Sequence, residues 1–80
     1  MATREELADI LAQEVIEAMA QTGDDRLWES VAKEIGTASP TTQEAFVTAM
    51  RIRLADQRGR KFLVERVAAM LKAKAAAAPE

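Results

Sequence analysis

Alanine fills 17 of the 80 positions, and that choice limits what the chain can build. It favours helix but brings almost no side-chain area to a core. Apolar residues make up 49% of the chain, yet without the alanines and Met1 about 21 larger core formers remain. A chain of this size class buries only about 60% of its unfolded surface. One small domain is therefore the upper limit, and its core is thin.

The missing residue types narrow the function. Cysteine, histidine and tyrosine are all absent. No disulfide can reinforce the core, no His or Cys can hold zinc, and neither a His-based triad nor a His pH switch can be built. Ser30 and Ser39 have no His to activate them, and none of the three glycines lies in a phosphate-cradling loop. Glu14 with Glu17, and Asp24 with Asp25, read as a solvated face and a helix cap; a calcium loop needs alternating ligands around a turn, which do not follow Asp24. No catalytic, cofactor or metal residue is assigned, and no small-molecule substrate is expected.

Periodicity predicts an all-α fold: a small bundle or irregular array of four amphipathic helices, at about 4–22, 25–35, 40–57 and 60–74. Thr3 and Glu6 form a capping box at the first helix, and Gly23 ends it. Leu7, Leu11, Val15, Ala18 and Met19 fall on one face. Asp24 or Asp25 caps the second helix, where Leu27, Trp28, Val31, Ala32 and Ile35 form the apolar side and Gly36 the stop. Trp28 reads as a core plug. Ser39 at the N-cap with Pro40 behind it starts the third helix. That helix carries two apolar faces, Phe46, Val47, Met50 and Leu54 on one and Ala45, Ala49 and Ile52 on the other, which marks it as the central element. A break or kink is expected at Gly59, because Leu63, Val67, Met70 and Leu71 leave the Phe46–Leu54 line. One domain over 1–74 and a frayed Ala-rich tail over 75–80 complete the expected organisation.

Charge is unevenly placed. Residues 1–50 carry ten acidic and three basic side chains, and residues 51–80 eight basic and three acidic, within a net charge of −2. A chain split in this way can pair its own halves, a second copy of itself, or a polyanion. Arg51, Arg53, Arg58, Arg60, Lys61 and Arg66 could contact phosphates, but Asp56 and Glu65 dilute them and only Phe62 interleaves as an aromatic. Ala32 and Gly36 have a spacing found in helix-turn-helix units, but the first turn of the next helix lacks Arg and Lys. A protein partner or homo-oligomer is therefore expected ahead of nucleic acid. The expected contact has Ile16, Ile52 and Phe62 as apolar anchors and Arg53, Arg58, Arg60 and Arg66 as its charged rim. The acidic start and the lack of an apolar run of about 20 residues point to the cytoplasm rather than to a membrane.

Overall fold

The computed structural model describes residues 1–77, which form three helices and no strand. Helix α1 spans Arg4–Thr22, α2 Leu27–Ala38 and α3 Pro40–Ala77.

The ends of α1 form as the sequence predicts. Glu6 N–H donates to Thr3 Oγ1 at 3.0 Å, and Thr3 N–H donates back to Glu6 Oε1 at 3.3 Å. At the other end Gly23 takes φ 76°, a left-handed conformation that glycine adopts without steric cost, and its N–H donates to Met19 O at 2.9 Å. The start of α2 differs from expectation. Arg26, not an aspartate, is the N-cap residue and gives no side-chain cap; Asp24 instead bends the turn by accepting from Arg26 N–H at 3.0 Å. Nor does Gly36 stop α2, which continues to Ala38. Only the extended Ser39 separates it from α3, where Ser39 Oγ caps the start by accepting from Thr42 N–H at 3.2 Å. Gly36 lies under the flexible end of the Gln43 side chain, whose Nε2 is 2.5 Å from where a Cβ would stand.

The expected third and fourth helices are one continuous 38-residue helix. Gly59 costs about 1 kcal/mol relative to alanine in a helix interior, which is too little to break one that carries several Ala and Arg on both sides. An i,i+4 ion pair, Arg60 Nε to Asp56 Oδ2 at 2.8 Å, spans the glycine. The phase change at Leu63 records a change in what the helix faces, not an interruption.

Ala8, Ala12 and Val15 from α1, Ala32 from α2, and Phe46, Ala49 and Met50 from α3 form the buried core. Phe46 and Met50 fill its centre, as expected of the central helix. The buried face of α1 is rotated from the one predicted: Leu7 is 59% exposed, and the small Ala8 and Ala12 turn inward so that α1 can lie close to α3. Trp28 is half-buried against the core edge with Leu27, Val31 and Ile35.

The core ends at Leu54. From Ala55 to Ala77 every residue of α3 is exposed. At 1.5 Å per residue, about 35 Å of helix extends beyond the three-helix body. The molecule accordingly measures 65 × 28 × 17 Å, with a radius of gyration of 18.3 Å, against about 12 Å for a compact domain of this length. The expected frayed tail falls partly on α3, which runs through Ala77, and partly on 78–80, outside the described residues.

Candidate interaction surface

The overhanging half of α3 carries a surplus of unburied apolar area. Phe62, Leu63, Val64, Val67, Met70 and Leu71 are all between 43% and 67% exposed. Leu63, Val67, Met70 and Leu71, expected to fill the core as the stripe of a fourth helix, instead face solvent. Folded monomers rarely leave so many large apolar side chains contiguous and uncovered, which makes this stretch the foremost candidate surface.

The stripe does not begin at Leu63. At about 100° per residue, Thr41, Ala45, Thr48, Ala49, Ile52, Leu63, Val67 and Met70 all lie within about 60° of one line along α3. The first five line a groove of about 510 Å³ between α3 and α1, to which α1 contributes Arg4, Glu5 and Asp9. One face of α3 therefore runs from a groove floored by small residues into a ridge of large ones.

Arg53 pairs with Asp9, a residue of the groove's α1 wall. Its Nε and Nη2 donate to Asp9 Oδ1 and Oδ2 at 2.7 and 2.8 Å, a two-pronged clamp between α3 and α1. The hydrogen bonds from Arg53 hold the Asp9 carboxyl below the usual carboxylate range, and those same bonds raise Arg53. Both side chains are partly exposed, at 33% for Arg53 and 50% for Asp9, so the clamp orients more than it stabilises.

The expected contact residues do not form one patch. Ile52 lies exposed in the groove face, while Arg58, Arg60, Phe62 and Arg66 are exposed on the overhang. Ile16 is half-buried against the core, and Arg53 is engaged by Asp9. Arg60 is paired with Asp56, whose carboxylate raises it. Leu63, Val67 and Met70 were missing from the expected contact. The signal for them lay in the sequence, since they continue the second apolar face of Ala45, Ala49 and Ile52.

Charge follows the same division as shape. The body, residues 1–54, holds ten acidic and five basic side chains; the overhang, residues 55–77, holds two acidic and six basic. The body is thus at −5 and the overhang at +4. Among the described residues no group of carboxylates gathers into a metal site, and no helix is long and apolar enough to cross a membrane. The chain matches no protein-family model, no curated protein and no solved structure.

Proposed function

We propose that this chain is a small non-catalytic interaction module, acting as a self-associating or accessory subunit, and that α3 carries its contact. The observation that supports this is the uncovered ridge of Leu63, Val67 and Met70 on a helix reaching about 35 Å past its own core. Association is a common remedy for domains with so little core, and an amphipathic helix laid into an apolar groove is a recurrent way to achieve it. The missing His, Cys and Tyr argue against chemistry at neutral pH.

Retention of a specific protein, or of the chain itself, on the immobilised full-length chain tests this. The expected result is capture that Val67→Asp abolishes while the helical circular dichroism is kept. Capture unaffected by Val67→Asp, or none at all, would refute it.

The +4 charge of the overhang favours one second reading, binding of nucleic acid through Arg58, Arg60, Lys61 and Arg66. A mobility shift with generic DNA and RNA that fades steeply with salt, and is lost in Arg58→Glu/Arg60→Glu, would support it over protein contact.

A further inference from the structure

We infer that the occupant of the α3 face is a second copy of this chain, its α3 laid antiparallel so that each overhang sits in the other's groove. The inference rests on the interaction-module reading and names its partner. Three properties of the helix, each independent of the others, select this occupant.

The first is side-chain size. The apolar face of α3 is small from Thr41 through Ala45, Thr48 and Ala49, turns large at Ile52, and stays large in its second half, with Leu63, Val67 and Met70. In an antiparallel pair centred on Gly59, Val67 and Met70 of one copy come level with residues 51 and 48 of the other, at the Thr48–Ile52 end of its groove, while Ala73 and Ala77 come level with Ala45 and Thr41; the arrangement occurs twice, related by a twofold axis. Parallel pairing would set ridge against ridge and leave both grooves open.

The second is charge. Antiparallel overlap brings a +4 overhang beside a −5 body at both ends, whereas overlap of the overhangs alone brings +4 against +4. A single different partner could cover both features only by supplying a basic amphipathic helix and an acidic groove together, and this chain already has both.

The third is the centre of the helix. Gly59 lies on the same face, and a Cβ there would meet nothing within 4 Å, so it offers a flat place for two backbones to approach. With Gly59 at the crossing, Met70 lies eleven residues to one side and Thr48 eleven to the other, and Lys74 and Glu44 are likewise fifteen away. Met70 of one copy then comes level with Thr48 of the second copy, in the groove, and Lys74 with the acidic Glu44 on its rim. Next to the crossing, Asp56 and Arg60 on this face neutralise each other, while Arg58 and Lys61 fall toward the opposite side of the helix.

The chain's lack of cysteine makes the register directly testable. Thr48→Cys and Met70→Cys are prepared separately in the full chain; both positions are exposed, and circular dichroism verifies that helix content is kept. Sedimentation equilibrium of the unmodified chain should give twice the monomer mass. Under mild oxidation the mixture of the two variants should yield a covalent dimer, and neither variant alone should do so. Lys74→Glu should weaken the dimer, and Lys74→Glu combined with Glu44→Lys should restore it. Covalent dimer from Met70→Cys alone, to the same yield as from the mixture, would overturn the antiparallel register in favour of tail-to-tail packing. A monomer at the highest attainable concentration would overturn the second copy as occupant. If that monomer still retains another protein in a Val67-dependent way, the interaction-module reading survives; if it retains nothing, both fail.

Discussion

Asp9 and Arg53 join residues 44 apart in sequence, and the clamp responds to pH in one direction. The Asp9 carboxyl is held below its ordinary range by hydrogen bonds from Arg53. A carboxylate depressed in the folded state contributes stability above its unfolded pKa and loses it as pH falls through the folded value. The thermal midpoint of Asp9→Asn should therefore lie below that of the parent chain at neutral pH, and the two should converge as the solution is acidified past the ordinary carboxylate range. Coincident curves from neutral pH down to the acid limit would show the clamp to be energetically silent. At Ala12 the controlling quantity is space. Its side chain is fully buried where α1 meets the rest of the core, so Ala12→Leu should cost about 1–3 kcal/mol by overpacking, measured by urea denaturation. These alanines explain what the sequence conceals at this scale. Discounting alanine as a core former makes Leu7 look like the inward residue, yet close helix approach places Ala8 and Ala12 inside and turns Leu7 out. Caps behave differently: Thr3, Glu6, Gly23 and Ser39 act through contacts within a few residues, so their roles are legible in the sequence, whereas a face is set by a neighbour that the local pattern does not name.

At the scale of the element, α3 decides the architecture. Its length is obscured in the sequence because a shift in the apolar stripe can mean either a break or a change of partner. Phe46, Met50 and Leu54 face the body, while Leu63, Val67 and Met70 lie on the line of Ala45 and Ile52. That second apolar face, with positions in phase with it beyond Gly59, is visible in the sequence; what is not visible is that both stretches belong to one unbroken helix. Continuity across this residue can be probed. Gly59→Ala should raise the stability of the dilute monomer's helix by up to about 1 kcal/mol, because the new methyl meets nothing in the single chain. The gain would be read as higher ellipticity at 222 nm and a later thermal transition. A separate fourth helix would instead have Gly59 in a turn, and alanine there would give no gain in ellipticity. Since the pairing sets two backbones close at Gly59, the same substitution should weaken self-association while strengthening the helix.

For the whole molecule, shape and charge give the most discriminating expectations. A monomer with a radius of gyration of 18.3 Å and a long axis of 65 Å is already elongated by its overhang. Pairing two α3 helices over their full length fills space beside that long axis without extending it, so the mass should double while the maximum dimension in small-angle scattering stays near the monomer's. Overlap of the overhangs alone would be centred near residue 66 rather than 59. That shift moves the register by 14 residues and lengthens the particle by about 20 Å at 1.5 Å per residue. Salt provides an independent check, because the two arrangements respond in opposite senses. Opposed −5 and +4 segments attract, and raising salt from 0.1 to 1 M shortens the screening length from about 10 to about 3 Å, so the full-length antiparallel dimer should loosen. Two +4 overhangs repel, and the tail-to-tail dimer should tighten under the same change. A particle that keeps the monomer's length, doubles its mass and dissociates as salt rises is compatible with only the first arrangement. The uneven charge of the chain would then orient the two copies, and the small core of each would be extended by the other's ridge.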